Sequence, residues 1–379
     1  MRSRILLALL VVLIAAAGFY VWWSYLRTPQ KEALRLHAVT FADLPGWQGG
    51  DPSAALTAFR RSCAKIEALP PAAPMAYAGT ARDWQQACAE AAGAGDARRF
   101  FETAFKPYAI DNGDNLVTGY YEPLLNGSMT RHGAYRVPVY GIPADLVMID
   151  LGLFRPEWKG ARIAGHVDGH YLKPYATRAE IDSHPPRTAP VLFWGDDPVS
   201  VFFLHIQGSG RVKLDDGRML RVTYAGQNGY PYTPIGRTLI AQGALERANV
   251  SMQSIRAWLT AHPAEARRVM ESDASYIFFG QEQVGDRALG PAGSEGVALT
   301  PRASIAVDPT IHPFGVPVFI SGDGLADLFV AQDTGGAIRG PARADIFFGF
   351  GPKAEDTAGR MKAHPNFFVL IPSGVTPTP

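Results

Sequence analysis

Glycine and proline punctuate this chain so often that long regular helices have little room: 39 glycines and 30 prolines fall among its 379 residues. Glycine weakens a helix interior through its backbone entropy, while proline removes a donor and clashes with the preceding turn. Amphipathic helical periodicity survives only over residues 54–67, 81–102 and 254–271. Most of the rest reads as short strands separated by turns such as Asn126-Gly127, Asp215-Asp216-Gly217 and Asn228-Gly229. The expected fold class is mainly β with some α. A composition of 47% hydrophobic and 19% charged residues supports a substantial core, and the length allows two ordinary domains. A net charge of +1 offers no general basic surface for neutralising phosphates, so no nucleic-acid partner is expected.

Three aspartates stand out near the C-terminus: Asp308 in Ala-Val-Asp-Pro, Asp333 in Ala-Gln-Asp-Thr-Gly-Gly, and Asp345 in Ala-Asp-Ile-Phe-Phe-Gly. β-favouring residues flank each, which places the carboxylates at strand ends of a small barrel, with Gly335, Gly336 and Gly340 leaving space beside them. Asp345 precedes bulky apolar residues that can desolvate it and raise its pKa, as a general acid requires; a turn aspartate capping backbone amides is the alternative. Asp333 either holds a turn or takes part directly by tuning Asp345 or contacting substrate, and Asp308, fixed by the following proline, shapes the barrel mouth or meets substrate. Arg339 or Arg343 aimed at Asp345 would oppose acid catalysis by lowering its pKa.

Upstream, Thr118-Gly119-Tyr120-Tyr121-Glu122 puts adjacent tyrosines on opposite strand faces, so that one ring packs inward and the other meets a ligand. Residues 201–206 read as a strand containing a packed His205, followed by the polar turn Gln207-Gly208-Ser209. Tyr224 and Asn228 lie in a similar glycine-rich segment. Gly208-Ser209-Gly210 lacks the spacing of a serine-hydrolase elbow.

In order and content, these motifs resemble the membrane-bound lytic transglycosylase A family with its three-aspartate domain, and the resemblance extends over residues 63–372. It implies a double-psi β-barrel-like domain built from residues 28–122 plus 272–379, with the three-aspartate region at 297–372. A second β domain, 123–271, is inserted between them, and a glycan groove separates the two. It implies cleavage of the peptidoglycan MurNAc-GlcNAc β-1,4 bond by Asp345 as single acid/base, leaving 1,6-anhydro-MurNAc ends, with Asp333 supporting. Thr118, Gly119, Tyr120, Tyr121, Glu122, Gln207, Gly208, Ser209, Tyr224, Asn228 and Asp308 are the substrate-binding candidates. No cofactor is implied. Partners are the glycan strand and, for such an enzyme, other cell-wall or division-complex proteins. A hydrolase using two aspartates, or a murein-binding scaffold without turnover, are the competing readings.

Residues 5–23 form an uncharged apolar run which, at ~1.5 Å per residue, covers roughly the thickness of a bilayer core. Arg2 and Arg4 before it, with Trp22 and Trp23 at its far edge, suit an N-in membrane anchor over residues 1–27; a cleaved signal peptide is the alternative. The expected location is the periplasmic face of a Gram-negative inner membrane. No cysteine precedes Cys63, so the lipid anchor of better-known family members is not expected. In that oxidising compartment Cys63 and Cys88, one in each of two neighbouring helices, read as a disulfide; two buried thiols are the alternative, and no metal site is expected.

Overall fold

Helix α1 (Ser53–Ile66) buries Leu56, Phe59, Cys63 and Ile66, the three-to-four-residue spacing of one helical face. Helix α2 (Ala81–Gly93) starts where Asp83 accepts the backbone N–H of Thr80 at 2.8 Å. The Cys63–Cys88 disulfide joins the two helices. Residues 81–102 are not one helix: Asp96 accepts the Arg99 N–H and caps a separate helix, Ala97–Ala104. In the computed structural model, residues 34–378 are described, except 114, 159, 160, 284 and 287. The expected anchor at 1–27 therefore lies outside the described residues, among which no helix is long and apolar enough to cross a membrane.

The larger sheet has nine strands in the order Leu36–Ala38, Phe105–Ile110, Asn366–Pro372, Pro317–Gly322, Leu325–Asp333, Ser304–Ala306, Arg343–Phe350, Leu116–Glu122, Lys362–Ala363. Strands from both ends of the described chain thus share one sheet. Among the described residues no ladder joins its two edge strands, so the sheet is open. Its core contains Phe59, Phe105, Phe319, Phe329 and Ile371, packed beneath the N-terminal helices. The site lies on four strands: β1 (Leu116–Glu122), β2 (Ser304–Ala306), β3 (Leu325–Asp333) and β4 (Arg343–Phe350).

A second sheet of six strands runs Ile277–Glu282, Met219–Gln227, Ser209–Leu214, Leu124–Ser128, Val191–Gly195, Val137–Tyr140, and a bridge from Gly141 to Phe279 links its two ends. Residues 277–282, which the sequence reading joined to the catalytic region, pair antiparallel with 219–227 and so belong to this sheet. A three-stranded sheet, Val147–Asp150, Arg162–Asp168 and Tyr171–Pro174, completes the β structure.

Residues 201–206 are helical, not a strand: they lie within α3 (Pro198–Gln207). Asp197 accepts the N–H groups of Val199 and Ser200 at 3.1 and 3.0 Å, proline occupies the first turn, and Gly208 at φ 76° ends the helix. Val201 and Leu204 pack against the six-stranded sheet while Phe202 and Phe203 enter a separate helical cluster. With both sides covered, the sequence is apolar all round and carries no helical period to distinguish it from a buried strand. The expected helix 254–271 is likewise two: α4 (Met252–Ala261) stops at His262, and Pro263 starts the next.

Candidate active site

Strand register sets the site. β4 pairs parallel with β1 and antiparallel with β2, placing Asp345 opposite Thr118 on one side and Ala306 on the other. β2 pairs parallel with β3, and a register shift after Ile305 brings Ala306 opposite Asp333. Thr118, Asp345, Ala306 and Asp333 therefore form one row across four strands, and laterally paired residues share a sheet face. Only a methyl group, that of Ala306, occupies the row between the two acids.

Asp345 is half-buried. Thr118 donates its hydroxyl to Asp345 Oδ1 at 2.8 Å, and Arg343 donates to the same Thr118 hydroxyl at 2.7 Å, so the arginine reaches the acid through an intermediary. Burial is the largest influence on Asp345 and pushes its pKa up; the Arg343 charge and Thr118 pull it back, and the Asp333 charge adds to the rise, leaving it at about 6. Arg343 does bear on Asp345, as the sequence allowed, but desolvation outweighs it.

Asp333 is surrounded by donors. Its Oδ1 accepts from the backbone N–H and hydroxyl of Ser294 and from the Thr334 N–H, each at 2.9 Å, and its Oδ2 accepts the Tyr120 hydroxyl at 2.8 Å. Burial raises its pKa and these bonds restrain the rise. The Tyr120 phenol is pushed well above its ordinary value by burial and by Asp333, so it remains a donor. Asp308 is buried and bonded to the N–H and hydroxyl of Thr310 and to the Gly340 N–H. Burial raises its pKa, but these bonds prevail and leave it low. It thereby pins the loop that leads into β4.

Tyr120 and Tyr121 divide between strand faces as the alternation required: Tyr120 reaches the carboxylates, while Tyr121 is buried with Ala354 and Ala358 of α5 (Pro352–Arg360). Gly119 has a packing role, since a Cβ there would come within 2.9 Å of the Ala358 Cα and 2.7 Å of the Phe348 ring. Glu122 does not face a ligand; it is fully buried and bonded by Arg211 Nε at 2.7 Å and Arg221 Nε at 2.6 Å. Gln207 accepts the Tyr121 backbone N–H at 3.0 Å, tying α3 to β1. Asn228 is also committed elsewhere: its amide donates to the Ala176 and Ala274 carbonyls and accepts from the Tyr276 N–H. Gly208 and buried Ser209 connect α3 to the six-stranded sheet, on which Tyr224 is exposed beside a register shift. His205 is buried and accepts the Ile277 N–H.

Thr118 and Tyr120 are thus the sequence candidates directly bonded to the carboxylate pair. Ser294, Arg211 and Arg221 escaped the sequence reading. Ser294 sits in an irregular glycine-containing segment, and the two arginines alternate within ordinary strands. Among the described residues, no group of three or more His, Cys, Asp or Glu side chains is arranged to hold a metal.

Two family models match the chain: the MltA specific insert domain over residues 116–280 and the 3D domain over residues 303–371. Membrane-bound lytic murein transglycosylase A of Escherichia coli (strain K12) is 31% identical over 294 residues, spanning 73% of this chain and 72% of the relative. The crystal structure of a membrane-bound lytic murein transglycosylase from Agrobacterium tumefaciens superposes with a TM-score of 0.79 at 34% identity, over 89% of this chain and 97% of that one. The E. coli MltA structure with bound chitohexaose gives a TM-score of 0.63 at 26% identity, over 85% of this chain and 91% of that one.

Proposed function

Because the chain belongs to the membrane-bound lytic murein transglycosylase A family and is a peptidoglycan lytic transglycosylase, we propose that Asp345 is its single acid/base. The observation carrying this assignment is the row Thr118–Asp345–Ala306–Asp333, in which a half-buried carboxyl with a pKa of about 6 stands across Ala306 from a second, heavily hydrogen-bonded carboxyl. Protonated Asp345 gives its proton to the glycosidic oxygen between MurNAc and GlcNAc as the C1–O bond breaks. The resulting carboxylate then takes the proton of the muramic C6 hydroxyl while that oxygen bonds to C1. The proton lost is regained, no water is consumed, and the product is a 1,6-anhydro end. Since the nucleophile belongs to the same sugar, its capture carries little entropy cost.

The bonding of Asp333, three donors on Oδ1 and the Tyr120 hydroxyl on Oδ2, holds it as a fixed acceptor and favours this route over a two-aspartate hydrolase. Thr118 and Tyr120 are the proposed saccharide contacts at the acid, with exposed Tyr224 offering an aromatic surface on the inserted sheet. The two sheets support a catalytic body and an inserted body, with glycan bound between them; the chitohexaose-bound relative supports a saccharide ligand. Mass spectrometry of purified sacculi digested by residues 28–379 tests the reading. Anhydro ends are expected; reducing ends would point to the hydrolase, and binding without turnover to the scaffold. Membrane association accords with the membrane-bound relatives, and residues 1–27 are proposed as its anchor at the periplasmic face of the inner membrane. The full chain should fractionate with membranes and residues 28–379 without them.

A further inference from the structure

The segment from Leu289 to Glu295 touches both the buried ion cluster and the carboxylate pair. At one end, the Leu289 carbonyl accepts from Arg221 Nη2 at 2.8 Å and from Arg211 Nη2 at 3.0 Å, and the Gly290 carbonyl accepts from Arg221 Nη1 at 3.3 Å. Those arginines belong to strands of the six-stranded sheet and clasp Glu122 at the end of β1. At the other end, Ser294 gives Asp333 two of its four hydrogen bonds, and the Glu295 N–H bonds to the Gln332 carbonyl at 3.1 Å.

Between these ends the segment is pressed onto the catalytic strands. A Cβ on Gly290 would lie 2.4 Å from the Phe347 ring, two residues beyond Asp345, and one on Gly293 would lie 2.5 Å from the carbonyl of Gln332, the neighbour of Asp333. Only glycine permits such approach. Glu295 adds a further hold by accepting the Ser62 hydroxyl of α1 at 2.7 Å. The segment is therefore a strap: tied to the inserted sheet by two guanidinium groups, laid over β4 and β3, and ending on a carboxylate.

We propose that Ser294 is a positioning residue for the transglycosylase reaction, holding Asp333 beside Asp345 through a strap whose far end is fixed to the inserted body by Arg211 and Arg221. This rests on Asp345 being the acid. Asp333 acts on the reaction through its charge, which raises the pKa of Asp345, and Ser294 supplies two of the donors that restrain the burial-driven rise at Asp333. Among the described residues, the titratable and charged groups facing the pair are Tyr120 from β1, Arg343 from β4 and, along the strap, Glu295, whose carboxyl is turned toward Ser62. A displacement of the inserted body transmitted through the arginines would move the Asp333 donors, coupling glycan engagement to acid strength.

Ser294 is exposed, so Ser294→Ala should fold normally and can be tested in kinetics on soluble glycan strands. With the hydroxyl donor gone, the Asp333 pKa rises, its charge supports the Asp345 proton less, and the alkaline limb of the kcat profile should move to lower pH. We expect kcat to fall about tenfold, the size associated with one hydrogen bond to a charged group, while KM stays within twofold. Ser294→Thr, which retains the hydroxyl, should restore both rate and profile. A Ser294→Ala profile superposable on that of the parent overturns the positioning role. So does a loss that appears wholly in KM, or one that Thr does not rescue. The strap is tested by combining Ser294→Ala with Arg221→Lys: losses in kcat smaller than the product of the single losses support coupling, whereas simple multiplication rejects it. Asp345→Asn run alongside separates the two levels. An active Asp345→Asn enzyme defeats the acid assignment, while an inactive one with an unaltered Ser294→Ala defeats this inference alone.

Discussion

At Asp345 burial and charge oppose one another, and the balance yields an acid that can hold its proton near neutrality. Its pKa of about 6 exceeds the ordinary 3.8, so the folded protein binds a proton on this group more tightly than the unfolded chain does. The associated stability is fully present below the unfolded value and is lost as pH rises from about 4 through about 6. Asp345→Asn should therefore abolish turnover, by on the order of a hundredfold or more, yet raise the melting temperature at pH 7 and not at pH 4. The gain should correspond to about 1–3 kcal/mol, since one pKa unit is worth about 1.4 kcal/mol. Parent kcat/KM should fall above pH 6 as the acid ionises, and Asp333→Asn, by removing the charge that supports protonation, should move that limb to lower pH. An Asp345→Asn protein that lost stability at pH 7, or kept near-parent rates, would contradict this account. The aspartates and their apolar neighbours were legible in the sequence because desolvation is a local property. Ser294 was not, because its role arises only when a distant strap folds back on Asp333.

At the scale of elements, periodicity succeeded where one face is buried and failed where both are. Helices α1 and α2 show their apolar stripes in sequence, so both they and the cysteine pair between them could be anticipated. Helix α3, sandwiched between the six-stranded sheet and a helical cluster, shows none, and only its Asp197-Pro198 start and Gly208 end betray it. The α1–α2 disulfide closes a loop of 25 residues within the N-terminal helices, whereas the hydrogen bonds to Asp333 and Asp345 come from Thr118, Tyr120, Ser294 and Thr334, none of them in those helices. Replacing both cysteines by alanine should cost about 2–4 kcal/mol, chiefly by freeing the unfolded chain. Urea denaturation would show a lower midpoint while activity at 25 °C persists. An unchanged midpoint, or inactivity in fully folded protein, would go against that separation of roles.

For the whole molecule, the central arrangement is a chain whose N-terminal and C-terminal strands build one sheet around an inserted one. Local patterns could identify strands but not their partners, so which segments share a sheet was not legible in the sequence. The buried Glu122–Arg211–Arg221 cluster, another feature hidden in alternating strand sequence, lies where β1 leaves the catalytic sheet for the insert. Its two guanidinium groups have Glu122, the Leu289 and Gly290 carbonyls, and the Phe350 ring under Arg211 as partners. Glu122→Gln would remove the anionic member and leave two buried cations, a loss of about 3–5 kcal/mol for a broken buried pair. The Arg256–Glu355 pair also links α4 to α5, but it is partly exposed and separated by 3.5 Å, so Glu355→Gln should cost less than about 1 kcal/mol. Equilibrium denaturation of the two variants should therefore separate widely in midpoint. If the cluster also joins the two bodies into one cooperative unit, Glu122→Gln should convert a single unfolding transition into two, with fluorescence and circular dichroism no longer coinciding. Equal midpoints for the two variants would deny the cluster its special weight, and one coincident transition in Glu122→Gln would confine its effect to local stability.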